Sequence, residues 1–172
     1  MSLRCSLFKG VNMNLGAKLL IRDVLLNDAE DLKRFWLKLT KEMYDIEGYI
    51  IPSTKNAEIW LSFALKEVEE GRSNILVAQE GLELVGFIHL AYGVSGRFET
   101  SSTIATIHEM YVKPRHRGRG IGTMLLKEGI KRLKEKGIKQ IRLSVLSGNE
   151  KAVRFYEKHG FKVYRYNMHM HI

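Results

Sequence analysis

Residues 108–123 read His-Glu-Met-Tyr-Val-Lys-Pro-Arg-His-Arg-Gly-Arg-Gly-Ile-Gly-Thr, and the run holds the side-chain types that handle an anion. Gly118, Gly120 and Gly122 allow backbone N–H groups to approach a ligand closely. Arg115, Arg117 and Arg119 make the same run strongly basic. Met124-Leu125-Leu126-Lys127-Glu128 follow as good helix formers, so the glycines stand where a helix begins and its first amides carry partial positive charge. The chemistry invited is the binding of a pyrophosphate. Two other phosphate signatures are excluded by spacing. A P-loop needs Lys before the Ser or Thr, and here Gly122 precedes Thr123; the dinucleotide fingerprint Gly-x-Gly-x-x-Gly is replaced by Gly118-x-Gly120-x-Gly122.

The elements around this run follow from periodicity. Ile107, Met110, Tyr111 and Val112 form a strand that Pro114 ends, because proline has no N–H to donate. A helix is expected over residues 119–136, with Ile121, Met124, Leu125, Ile130 and Leu133 inward and Gly137 beyond its end. Upstream, residues 1–18 read as a loosely held leader, with Met13 an alternative start, and residues 19–172 as one domain. Residues 19–24 have strand composition. Asn27-Asp28 offers caps for a helix with Leu32, Phe35, Trp36, Leu39 and Met43 inward, ending near Gly48. Ser53 or Thr54 caps a second helix over 56–70 with Ile59, Trp60, Phe63, Ala64 and Val68 inward. Residues 74–79 and 84–92 suit an antiparallel hairpin, and residues 93–102 a loop. Residues 140–146 form a further strand, reached by a parallel crossover. Asn149 caps a short helix over 150–158 closed by Gly160, and residues 161–170 are expected to be a last strand.

At 172 residues the chain is long enough to bury a core without staples. A formal net charge of +9, with Lys and Arg gathered over residues 113–139, favours a polyanionic partner. One cysteine, Cys5, cannot build a disulfide framework and suits a reducing interior, and no apolar run has membrane-spanning length. A cytoplasmic protein with no membrane partner is the expectation.

Arg115-x-x-Gly118-x-Gly120 resembles the acyl-CoA-binding motif of the GNAT acetyltransferase superfamily, Arg/Gln-x-x-Gly-x-Gly/Ala. Asn149-x-x-Ala152-x-x-Phe155-Tyr156-x-x-x-Gly160-Phe161 is similar to that family's second signature. The resemblance implies an α/β (α+β) fold, a mixed and mostly antiparallel central sheet flanked by helices, from about Leu19 onward. It also implies acetyl-CoA as the acyl donor, CoA as product, and an N-acetyltransferase acting on a primary amine of a protein, peptide or small molecule. Residue by residue, Met110, Tyr111 and Val112 would pair with the pantetheine arm like an added strand. Arg115, Arg117, Gly118, Arg119, Gly120, Ile121, Gly122 and Thr123 would hold the pyrophosphate, and Asn149 the cofactor arm, beside its role as an N-cap. Tyr156 would protonate the departing thiolate, and amides near the strand kink would stabilise the oxyanion. Glu109 is the candidate base for the incoming ammonium. Alternation puts it opposite Met110 in the pleat, so a bulge is needed to turn it toward the cleft; an edge carboxylate, with water as base, is the other reading.

The remaining features weigh less. Glu42, Asp45 and Glu47 could face a cationic acceptor or simply be a solvated helix face, and Tyr49 and Trp60 fit packing. His169 and His171 share a strand face without a third ligand, so no metal is assigned. A nucleic-acid-binding module is disfavoured because no array of aromatics accompanies the basic turn. A CoA-binding regulatory domain is the other alternative, and a second copy of the chain is a candidate partner.

Overall fold

The computed structural model describes residues 18–48, 50–92 and 104–170. The leader with Met13 and Cys5, Tyr49, the expected loop over 93–102 and His171 lie outside the described residues. Strand β1 (Leu19–Asp23) leads through a 3-10 turn (Leu26–Asp28) into helix α1 (Ala29–Glu47), then α2 (Thr54–Glu69). Strands β2 (Ser73–Glu80), β3 (Glu83–Tyr92) and β4 (Ile104–Val112) follow, then α3 (Ile121–Glu135), β5 (Gln140–Leu143) and α4 (Glu150–Lys158). The sheet runs in the order β1-β2-β3-β4-β5, antiparallel throughout except for the parallel β4–β5 pair. A mixed, mostly antiparallel sheet with helices on its faces is therefore what the chain builds.

Two apolar layers hold it. On one face α3 lays Ile121, Leu125, Leu126 and Leu133 over Leu76, Ile88, Leu90, Ala105 and Ile107. On the other, α1 and α2 bring Leu32, Phe35, Leu61 and Ala64 against Ile75, Val77, Phe87 and Tyr111. The Phe35 ring stacks on Phe87 at 6.1 Å and tilts against Tyr111 at 5.5 Å. Gly86 has a specific duty between these layers. A Cβ there would stand 2.6 Å from the Tyr111 carbonyl oxygen, so only glycine lets β3 and β4 approach so closely.

Several expectations are corrected. Ile59 and Phe63 of α2 are exposed; the buried stripe is Ala57, Leu61 and Ala64, whose spacing of four then three keeps one face inward and leaves Ile59 on the opposite side. On α3, Met124 is exposed while Leu126 and Gly129 are buried, and the helix begins at Ile121 rather than Arg119. Asp28 precedes α1, but its carboxylate accepts from the Leu25 amide and from Arg22 instead of capping the first turn. Ser53 does cap α2, accepting from the Asn56 amide. Strand β5 stops at Leu143, three residues early. Residues 161–170 form no strand, and Val163, Tyr164, Tyr166, Met168 and Met170 are exposed. Alternating β-branched and aromatic residues supply strand propensity, but a strand also needs a ladder of backbone bonds; the segment meets the edge strand β5 through a side chain, the Arg142 guanidinium 5.0 Å from the Tyr164 ring, and forms no ladder there.

Candidate functional site

Strand β4 carries the site, and its register sets what faces where. Opposite β3, Glu109 pairs with His89 and Ile107 with Leu90, so His108 is an extra residue: a β-bulge in β4. The bulge reverses the pleat. Ala105 and Ile107 before it pack on the α3 side, as do Met110 and Val112 after it, while Tyr111 turns to the α1–α2 side. The bulge thus precedes Glu109 and leaves it opposite Met110 in the pleat; Glu109 shares the Tyr111 face, where its Oε2 accepts from His89 Nδ1 at 2.9 Å.

Strand β5 accompanies β4 only from Ile104 to Ile107. From His108 to Val112 the β5-side edge of β4 has no strand beside it among the described residues. The Lys113 amide donates to Val85 O at 2.9 Å, and the Tyr111 carbonyl also faces β3. By alternation, the backbone groups of Met110 and Val112 point to the open side. The Val112 carbonyl there accepts from Arg117 Nε at 2.8 Å.

Past Lys113 the chain turns through Pro114–His116 and enters α3. Gly118 and Gly120 have φ of +77° and +81°, a region that L side chains enter at a cost, and a Cβ at either would meet nothing within 4 Å. Gly120 is the N-cap of α3 and has no side chain to bond the first turn. The first helical bond runs from the Met124 amide to Gly120 O, leaving the Ile121, Gly122 and Thr123 amides outside the helical ladder. At Gly122 a Cβ would lie 3.5 Å from the Phe155 ring and 4.0 Å from Met110 Cε, so β4, α3 and α4 converge there.

The arginines of the turn are engaged elsewhere. Arg115 and Lys113 both bond Glu83, Arg117 forks onto Glu42 at 2.7 and 3.0 Å, and Arg119 onto Glu80. Lys113 and Arg115 together hold the Glu83 carboxyl down at about 2, and Arg119 lowers that of Glu80. These pairs tie the turn to the β2–β3 hairpin and to α1. They also take Glu42 out of any simple acidic face for a substrate.

Helix α4 completes the wall. Asn149 caps it, its Oδ1 accepting from the Ala152 amide at 3.2 Å. Tyr156 packs with Met110 and Val112 against the α3-side core, edge-on to Phe155 and Phe161, and burial pushes its phenol up to about 12. His159 Nδ1 donates to the Phe155 carbonyl at 2.7 Å, so its Nε2 accepts from the Thr123 hydroxyl at 3.1 Å and latches α4 to the first turn of α3. The structure therefore brings together Met110, Val112, Gly122, Phe155 and Tyr156, and places Glu109 on the opposite face of β4.

Glu80, Glu83, His89 and His159 escape a motif-based reading. Only His89 leaves a trace in the sequence, as a lone polar residue within the apolar run of β3. Two surface hollows, about 470 Å³ between α1 and Lys113–Arg115 at the start of the turn and about 530 Å³ beside Arg132, are lined by none of its three glycines. Among the described residues no group of three His, Cys, Asp or Glu is arranged for a metal, and no helix is long and apolar enough to cross a membrane.

Comparison with known proteins agrees with this geometry. The model of the acetyltransferase (GNAT) family matches residues 30–161. An uncharacterized N-acetyltransferase of Methanocaldococcus jannaschii is 30% identical over 142 residues, 83% of this chain; the chain spans 60% of that relative's length. Spermidine N(1)-acetyltransferase of Thermoplasma acidophilum is 30% identical over 153 residues, covering 83% of this chain and 88% of the relative. The crystal structure of PaiA N-acetyltransferase from Thermoplasma acidophilum, in complex with coenzyme A, is 27% identical. It superposes with a TM-score of 0.68 over 87% of this chain and 93% of that one.

Proposed function

Because the chain belongs to the acetyltransferase (GNAT) family, we propose that it transfers an acetyl group from acetyl-CoA to a primary amine. The observation that carries this reading is the unaccompanied edge of β4 opening beside a turn whose two positive-φ glycines leave room before the first amides of α3. That arrangement suits an extended arm ending in a pyrophosphate. Backbone groups of Met110 and Val112 pair with the arm, and the Ile121, Gly122 and Thr123 amides take the pyrophosphate at the positive end of α3. Gly118 and Gly120 keep Cβ atoms out of that space. Arg115, Arg117 and Arg119 shape the turn through their bonds to Glu83, Glu42 and Glu80, and those carboxylates offset its positive charge. Acetyl-CoA supplies an activated acyl group on a thiol leaving group.

Glu109, on the α1–α2 face of β4, takes the proton of the incoming ammonium through water, since only a neutral amine has a lone pair to attack with. Tyr156 serves the leaving sulfur. Its phenol near 12 stands above the ~8.5 of an ordinary thiol, so full proton transfer to sulfur would cost roughly 5 kcal/mol. Tyr156 therefore acts chiefly as a hydrogen-bond donor to the departing thiolate, protonated at every physiological pH. Asn149, with Oδ1 used in capping, offers its Nδ2 to the arm. The single cysteine fits a cytoplasmic setting.

The test is a panel of spermidine, lysine, an N-terminal peptide and an aminoglycoside with acetyl-CoA and the full chain, scored by thiol release and product mass. One acceptor should gain an acetyl group in step with CoA release. Acetyl-CoA binding without modification of any amine would instead identify a CoA-binding regulatory domain.

A further inference from the structure

On the α1–α2 side of the bulge a second set of polar groups is buried, and the donor site does not use it. His89, in the middle of β3, has a side chain only 3% exposed, although its strand neighbours Phe87, Ile88 and Leu90 are core residues. Its Nδ1 lies 2.9 Å from Glu109 Oε2 on β4, and its Nε2 lies 3.9 Å from Glu67 Oε2 on α2. The ring is held edge-on by Trp60 of α2 and lies 5.3 Å from the ring of His108, the bulge residue itself. Burying an imidazole in this way is costly unless its hydrogen bonds are made. Here only the bond to Glu109 is within bonding distance, while His89 Nε2 and Glu67 Oε2 are buried without a direct partner.

We propose that His89 is a positioning residue for Glu109, fixing the carboxylate that receives the amine's proton. The inference rests on the reading of Glu109 as base. An ionised carboxylate only accepts, so Nδ1 carries a proton and donates it to Oε2. One oxygen of Glu109 is thereby tied down and the other is left to accept the ammonium's proton through water. The bulge and the histidine act together: His108 is the extra residue that brings Glu109 opposite His89. The charged and titratable groups facing the ring are Glu109 and His108 from β4 and Glu67 from α2. Glu67 is too distant for a direct bond, so the Nδ1 contact orients the ring and the carboxylate.

Three substitutions separate the two ring nitrogens. Asparagine places its amide where Nδ1 stands, glutamine reaches where Nε2 stands, and phenylalanine offers neither. With spermidine as acceptor, Glu109→Gln should lower kcat about 100-fold, within the usual reach of general-base catalysis. His89→Phe and His89→Gln should each lower kcat about tenfold with KM for acetyl-CoA unchanged, and His89→Asn should stay near the wild-type rate. In the Glu109→Gln background His89→Phe should cost nothing further, which a merely structural loss would not reproduce. A second readout needs no acceptor: the ring nitrogen NMR spectrum of the full chain should show His89 protonated on Nδ1, with a hydrogen-bonded proton that disappears in Glu109→Ala.

Wild-type turnover in Glu109→Gln would remove the base reading and this inference with it. A fall in Glu109→Gln with wild-type turnover in His89→Phe would overturn the inference alone, as would equal losses in His89→Asn and His89→Phe. If His89→Phe does not fold, the asparagine and glutamine variants decide. If spermidine is not acetylated, the spectrum decides, and a bare Nδ1 or a resonance unchanged in Glu109→Ala overturns the inference.

Discussion

Gly120 and Gly137 stand at the two ends of α3 with nearly the same backbone, φ +81° and +77°, and a Cβ at either meets nothing within 4 Å. Alanine at either position therefore carries the same backbone cost, about 1–2 kcal/mol for an L residue in the left-handed region, and no steric cost in the free protein. For a domain of this size 1 kcal/mol corresponds to roughly 2–4 °C in Tm, so both variants should melt about 2–8 °C low. The ligand separates them. The fifteen residues of α3 put the two sites on the order of 20 Å apart. Only the Gly120→Ala methyl enters the space before the first amides of the helix. Each hydrogen bond to a charged group contributes about 1.5–3 kcal/mol, so one lost amide–phosphate bond should weaken acetyl-CoA binding at least about tenfold. Calorimetric titration with acetyl-CoA, beside thermal melts of both variants, measures the two effects separately. Equal affinities in Gly120→Ala and Gly137→Ala would refute a pyrophosphate site at this turn.

Tyr156→Phe should lower kcat about tenfold or more while leaving the calorimetric affinity for acetyl-CoA within about twofold, because the phenol is needed only as sulfur departs. Glu83, lowered from 4.5 to about 2 by Lys113 and Arg115, contributes stability that is present above pH 4.5 and lost as pH falls toward 2. The gap in Tm between wild type and Glu83→Gln should accordingly close across that window, and it should narrow in high salt because the pairs are exposed. Gly86→Ala should destabilise the fold by about 1–3 kcal/mol in denaturant melts, since its Cβ would have to displace the Tyr111 carbonyl of the adjacent strand.

What the sequence made legible is the part built from local rules. The Pro114 stop, the glycine turn, the Asn149 cap and the hairpin all follow from what one short segment can or cannot do, and each stands where expected. Glu109 marks the boundary of that legibility. Whether it faced the α1–α2 side depended on an extra residue at His108, and a bulge is decided by two strands pairing rather than by either alone. The same holds for Arg115, Arg117 and Arg119. Their charge invited a phosphate, but their carboxylate partners lie from 32 to 75 residues away in sequence. Ile59 and Phe63 were misplaced because helical period sets a stripe's spacing but not its absolute direction. Residues 161–170 have strand composition, but a strand also needs backbone bonds to a partner, which composition does not encode.

Hydrogen exchange at single backbone amides of β4, followed as CoA is added to the full chain, tests the donor site most directly. The Met110 and Val112 amides, on the open edge, should become protected on binding, while the Lys113 amide, already bonded to Val85, should change little. Binding of CoA with no gain in protection at Met110 and Val112 would contradict the account.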